Sequence, residues 1–145
     1  MERIVRDGKS SLLLQLADRI GNVVKVGDFG LAVQLEHSCS RRNTACGTSL
    51  YMAPEVYEGS TVLKSDVWAL GISVIEMAEG KHPFAGCTSA VVLNKVLNKP
   101  SPTLSSSGWS SDMVDFVTCC LVKDVNKRSS VEELLKVSVS RDCND

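Results

Sequence analysis

The sequence predicts an α+β fold that is mostly α, and three observations carry that prediction. Residues 65–77 read Ser-Asp-Val-Trp-Ala-Leu-Gly-Ile-Ser-Val-Ile-Glu-Met, with apolar residues at 67, 70, 71, 74, 75 and 78 marking one helix face. Trp68, Ile72 and Met77 lie off that face, so this helix is apolar nearly all round and is expected to be buried. Residues 89–98, 109–121 and 131–137 read as three further helices. Two short apolar runs, 12–16 and 23–26, flank a turn containing Gly21-Asn22 and read as a small β-hairpin.

Each helix has a start or a stop in the sequence. Ser65 is a plausible N-cap for the central helix, and Asp66 suits the positive end of its dipole. Gly80 and then Pro83 end it. Residues 99–108, rich in Ser and Pro, form a loop, and Ser110 or Ser111 caps the helix that follows Trp109. Residues 31–46 are polar and unperiodic, a long loop of the kind that is usually functional.

At 145 residues the chain has the length of one domain, and 43% hydrophobic with 23% charged residues are globular values. A net charge of −1 gives no field to attract nucleic acid or a membrane surface. No apolar run is long enough to cross a bilayer, and Met1-Glu2-Arg3 does not open a signal peptide. The six cysteines (39, 46, 87, 119, 120, 143) form no Cys-x-x-Cys pair and no zinc spacing with histidine. The expectation is a reduced, cytoplasmic protein, with Cys46 read as a small residue that fits its loop rather than as a reactive thiol.

The residues that carry chemistry fall in four blocks. Residues 3–14 contain Arg6-Asp7-Gly8-Lys9, followed by Leu12, Leu13 and Leu14. Asp28-Phe29-Gly30 follows the second apolar run; there a carboxylate can bridge a metal to phosphate oxygens while the glycine lets the backbone turn sharply. The third block is Gly47-Thr48-Ser49-Leu50-Tyr51-Met52-Ala53-Pro54-Glu55, and the fourth runs from Asp124 to Ser130 and contains Arg128.

Asp-Phe-Gly followed across an irregular loop by Ala-Pro-Glu resembles the activation segment of a eukaryotic protein kinase. Residues 42–48 are similar to the sterile-twenty-like, or germinal-centre, group of Ser/Thr kinases. The resemblance covers residues 3–138 and implies the large, C-terminal lobe of a protein-kinase-like fold, with a small β-hairpin and an activation segment. It divides the chain into a catalytic-loop remnant (3–14), an activation segment (28–55), a helical subdomain (56–138) and a short tail (139–145). The Gly-rich loop, the strand Lys and the helix Glu that grip ATP from above do not occur in these 145 residues, so the N-terminal lobe is expected to be absent.

The resemblance also implies roles. Asp7 becomes the base that takes the proton of the attacking hydroxyl, and Lys9 steadies the γ-phosphate. Asp28 holds magnesium, and Leu14 floors the adenine pocket. Leu12 stands where the family has the Asn that ligates a second magnesium. A leucine offers no lone pair to such a cation, so that second site lacks its expected ligand. Val5 likewise replaces a His. Thr44 becomes the activating phosphosite, with Arg6 as its phosphate partner. Thr48 links the substrate platform to the catalytic residues and, with Lys9, points to Ser or Thr as acceptor.

Glu76 matches a position that in some kinases meets a basic substrate residue, and reads equally well as a surface acid. Asp66 bonds the catalytic-loop backbone, and Glu55 pairs with Arg128 in a buried ion pair. Val125 and Ser129 depart from the family pattern, which has proline at both places. The function implied is ATP-dependent phosphorylation of protein Ser or Thr, with ATP and Mg2+ as cofactors and a protein substrate or signalling protein as partner. The isolated chain is expected to be inactive. The alternative is a non-catalytic, pseudokinase-like binding module that presents the helix after Phe84 and the substrate platform.

Overall fold

The structure, a computed structural model, describes residues 3–6, 32–35, 49–105 and 108–139. Among the described residues, two short strands, β1 (Arg3–Arg6) and β2 (Ala32–Leu35), precede a 3-10 turn (Ser49–Tyr51) and five helices. The helices are α1 (Pro54–Tyr57), α2 (Leu63–Glu79), α3 (Ser89–Asn98), α4 (Ser111–Cys120) and α5 (Val131–Val139). The described architecture is mostly α with few strands, the class the sequence predicts.

Helix α2 is the axis of the lobe. Trp68 and Ile72 have no exposure, and Val67, Gly71 and Ile75 are also buried. The core around them takes Ala53 and Val56, Phe84, Val92 and Val96 of α3, Val117 and Cys120 of α4, then Leu121 and Leu134. Burying each large aliphatic or aromatic side chain of this set stabilises the fold by about 1.5–3 kcal/mol. The buried stripe of α2 runs through 67, 68, 71, 72 and 75, which differs from the face predicted through 70, 74 and 78. Leu70, Val74 and Ala78 are only half-buried, and Met77 is 48% exposed. With apolar residues on every side, periodicity alone did not select the face; the bulk of Trp68 and Ile72 did.

The close approach of α4 to α2 is set by Gly71. A Cβ there would meet Cys120 Cβ at 2.8 Å and the Leu121 side chain at 2.9 Å, closer than real side chains come. Gly80 ends α2 in the left-handed conformation, φ 65°, as the sequence predicts.

The start of α2 differs from expectation. The helix begins at Leu63 behind Val62, and Ser65 is its third residue rather than its cap. The Ser65 hydroxyl still satisfies the helix end, because it accepts from the Val62 amide at 3.1 Å. Val62 itself has no polar side-chain atom to cap with, so a reading that looks for Ser, Thr, Asp or Asn lands too late. Ser110 caps α4 by accepting from the Met113 amide at 3.3 Å. Ser130 and Glu133 bond each other's backbone amides at the start of α5, a reciprocal capping box.

The predicted hairpin at 12–16 and 23–26 lies outside the described residues. The observed strand pair is β1 with β2, antiparallel, in the register Arg3↔Leu35 to Arg6↔Ala32. Residues 32–35 were expected to belong to a loop. The segment gains order by pairing with β1, which local pattern does not reveal. β1 in turn packs against α2.

Candidate functional site

The lower part of the site is a buried charge cluster. The Arg128 side chain has no exposure and that of Glu55 has 8%. Nη1 and Nη2 of Arg128 donate to Oε1 and Oε2 of Glu55, each at 2.8 Å, a bidentate pair across 73 residues of sequence. The other donors are also taken: Nε by the Val122 carbonyl at 2.8 Å, Nη1 by Lys64 at 2.8 Å and Nη2 by Lys123 at 3.3 Å. Glu55 Oε1 receives a further bond from the Ser65 hydroxyl at 2.7 Å. The guanidinium lies 5.2 Å from the centre of the Trp68 ring, which adds a cation–π contact. The charges placed in one ion pair by sequence are thus one knot joining α1, the first turn of α2 and the turn before α5.

The geometry of that turn explains why it works without prolines. The Asp124 carboxylate accepts from the Asn126 amide at 3.0 Å, and its carbonyl accepts from the amides of Lys127 and Arg128. These bonds close the loop that presents the guanidinium, with Val125 in the place of one family proline.

Above the knot, the 3-10 turn and α1 form a short ledge against α2 and α3. Tyr51 donates its hydroxyl to Glu76 Oε2 of α2 at 2.6 Å. The rings of His82 and Tyr51 meet in a T-shaped contact, with centroids 4.6 Å apart and planes at 80°. His82 Nδ1 accepts from the Phe84 amide at 3.0 Å, while Nε2 is buried with no partner. Burial pushes the His82 pKa below its ordinary 6.5, and the nearby Glu76 carboxylate opposes that shift. Glu76 is therefore tied into the ledge.

The far end of α2 holds a second strap. Glu79 accepts from the Ser105 amide at 2.9 Å, the Ser105 hydroxyl at 2.5 Å and the Trp109 indole at 3.2 Å. This fixes the linker between α3 and α4. An open groove of about 480 Å³ lies beside the charge knot, lined by residues that include Pro54, Glu58, Leu97, Lys123 and Val125. Its charges are of mixed sign.

Asp7, Lys9, Leu14, Asp28, Thr44 and Thr48 lie outside the described residues, as do Leu12 and Cys46. Arg6 ends β1, and Val5 precedes it there. Asp66 lies in the first turn of α2, while the catalytic-loop segment after Arg6 that it is expected to bond lies outside the described residues. What the strand pair does show is a juxtaposition: the segment leading into Asp7 runs alongside the segment that follows Gly30. Among the described residues, no group of three or more His, Cys, Asp or Glu is arranged to hold a metal ion. Cys87, Cys119 and Cys120 are free thiols. No helix among the described residues is long and apolar enough to cross a membrane.

Sequence reasoning missed His82, Ser65 and Glu79 as structural partners. For His82 the only signal was a histidine inside a Gly-to-Pro helix stop, and a turn needs no histidine. Ser65 was noticed, but given the wrong task. Glu79 carried no signal, since its three donors come from a loop 26 and 30 residues further on.

A helical lobe built on one buried axis, knotted by the acid of Ala-Pro-Glu, is the large lobe of a protein kinase, and the chain belongs to that family. The protein kinase domain family matches residues 4–139. Within it, the similarity is to Ser/Thr kinases of the sterile-twenty-like group. The chain is 38% identical over 136 residues to serine/threonine-protein kinase cst-1 of Caenorhabditis briggsae, covering 92% of this chain and 27% of that protein. It is 38% identical over 137 residues to serine/threonine-protein kinase hippo of Drosophila melanogaster, covering 92% of this chain and 20% of that protein. It is also 38% identical over 141 residues to misshapen-like kinase 1 of Rattus norvegicus, covering 93% of this chain and 10% of that protein. The chain thus spans between 10% and 27% of the length of these three relatives.

Proposed function

We propose that this chain is the C-terminal part of a Ser/Thr protein kinase domain, whose complete form transfers the γ-phosphate of ATP to a hydroxyl of a protein substrate. The family match over residues 4–139 supports the class. The antiparallel register that runs the approach to Asp7 beside the exit from Gly30 is the structural observation that carries the reading. Phosphoryl transfer asks a protein chiefly for positioning and charge stabilisation, and such a strand pair is a means of positioning.

In this reading Asp7 accepts the proton of the attacking Ser or Thr hydroxyl, and Lys9 steadies the γ-phosphate. Asp28 holds the magnesium, which neutralises charge on the phosphate oxygens, and Leu14 lies under the adenine. The second magnesium site has no ligand at Leu12. Thr48 and the ledge from Tyr51 to Pro54 receive the substrate, and phosphorylation of Thr44 sets the activation segment through Arg6. The domain divides as the sequence suggests: catalytic-loop remnant 3–14, activation segment 28–55, helices 56–138 and a tail 139–145.

A second reading rests on Leu12 and Val5: a pseudokinase-like module that binds proteins without catalysis. Transfer from γ-labelled ATP to Ser/Thr and Tyr peptides separates the two. The 145-residue chain alone should give no turnover. The longest translated product containing it should label Ser/Thr peptides, and Asp7→Asn should lower that rate by about 10²–10⁴-fold, the usual worth of a general base. A complete product without labelling would leave the binding module as the reading, and labelling unaffected by both Asp7→Asn and Asp28→Asn would overturn the roles given to those two residues.

A further inference from the structure

We propose that His82 is a positioning residue of the substrate ledge, which in its neutral form holds Tyr51, and through Tyr51 the Glu76 carboxylate, in the orientation the ledge requires. This rests on the reading of residues 49–55 as a substrate platform, but its structural content does not.

The protonation state follows from the hydrogen bonds. Nδ1 accepts from the Phe84 amide at 3.0 Å, so it carries a lone pair and the neutral ring bears its proton on Nε2. That N–H is buried without an oxygen or nitrogen partner. Its ring meets the Tyr51 ring at 80° and 4.6 Å, a geometry in which a ring edge addresses a π face. Tyr51 then spends its own hydroxyl on Glu76 at 2.6 Å. The sequence of contacts runs from the backbone of Phe84 through His82 and Tyr51 to Glu76. The near end is fixed, because Phe84 is itself a core residue with 5% exposure and packs against the imidazole.

A second proton on the ring would enter at Nδ1. It would turn the acceptor into a donor facing the Phe84 N–H, and two donors cannot share that 3.0 Å space. Since Phe84 is packed in the core, the imidazole must rotate away, and the Tyr51 ring loses its T-shaped contact. Among the described residues, the groups that bear on this proton are few. Glu76 on α2 attracts it, and Tyr51 on the 3-10 turn is neutral and donates to Glu76. The preceding Lys81 is exposed. On α3, which packs against the 3-10 turn, the one charged side chain is Lys95, and it is engaged with the Cys87 sulfur at 3.4 Å. Burial favours the neutral ring, consistent with the lowered pKa. The clamp is therefore closed near neutral pH and opens on acidification.

The test is a proton NMR titration of the chain from pH 8 to pH 5, following the His82 ring, the Phe84 amide and the Tyr51 ring. All three should move with one midpoint lying below 6.5, the ordinary His value. In His82→Asn, which keeps an acceptor where Nδ1 stood but cannot titrate, Phe84 and Tyr51 should hold still over the same range. A His82 ring that titrates while Phe84 and Tyr51 stay fixed overturns the proposal, as does a Tyr51 shift that persists in His82→Asn.

Affinity for a Ser/Thr peptide, measured on the same samples, should weaken about three- to tenfold from pH 7.5 to 5.5 in the wild type, the worth of one hydrogen bond. It should stay level in His82→Asn. A concerted NMR transition without peptide binding at any pH leaves the clamp standing and removes the platform reading. Binding that ignores pH despite the transition shows that the clamp does not position substrate.

Discussion

At Arg128 every N–H of the guanidinium has a partner: two carboxylate oxygens and three backbone carbonyls. Such saturation is what makes a buried charge tolerable, and it also makes the residue hard to replace. Arg128→Ala leaves Glu55 ionised and buried with only the Ser65 hydroxyl, and should cost about 3–5 kcal/mol. Arg128→Lys should recover little of that loss, because three donors on one nitrogen cannot reproduce a fork aimed at five acceptors. Urea denaturation followed by circular dichroism measures both. Should Arg128→Ala unfold within 1 kcal/mol of the parent, the knot contributes far less than a buried pair of this kind normally does.

Among elements, the contact between α2 and α4 is the most sensitive to a single atom. Gly71 is there to let the two helices approach, because an added methyl would run into Cys120 and Leu121 at under 3.0 Å. The propensity of alanine for helix would favour Gly71→Ala by up to about 1 kcal/mol. Overpacking should outweigh that gain, for a net loss of about 1–2 kcal/mol. A thermal melt that rises on this substitution would show that α4 can shift at little cost. Cys120 lies in the same seam, its thiol pushed up to about 12 chiefly by burial, so it is a packing residue and not a reactive one.

At the scale of the whole molecule, among the described residues two groups that titrate in acid, His82 and Glu133, have pKa values lowered on folding. His82 is lowered from 6.5, so the stability it supplies is complete above pH 6.5 and drains away as pH falls through its lower folded value. Glu133 is lowered from 4.5 mainly by the Ser130 amide, and its contribution is lost further down, below pH 4.5. Urea midpoints measured from pH 7.5 to well below pH 4.5 should therefore decline in two stages. His82→Asn should flatten the first stage and leave the second.

The same scale shows what the sequence could disclose. Helices α3, α4 and α5 were legible because their 3.6-residue pattern and Ser110 cap are local signals. The central helix was legible as a helix but not in its buried face, since residues apolar all round give no phase. The pairing of β1 with β2 was not legible: four-residue strands containing Arg3, Arg6 and Gln34 owe their order to each other. Glu55 and Arg128 came together through the family pattern alone. The ledge held a contact no pattern contains, because Tyr51, Glu76 and His82 meet only once α2 has turned the chain back on itself.

The Glu55–Arg128 knot also has a consequence in time. Its partners are 73 residues apart, so joining them costs loop-closure entropy, and the pair is expected to form late in folding. Contacts that form after the barrier act on the way out and not on the way in. Stopped-flow traces of Arg128→Ala should show an unfolding arm shifted upward and a refolding arm close to that of the parent. In that case the arginine is a latch rather than a seed, and its worth to the molecule is lifetime.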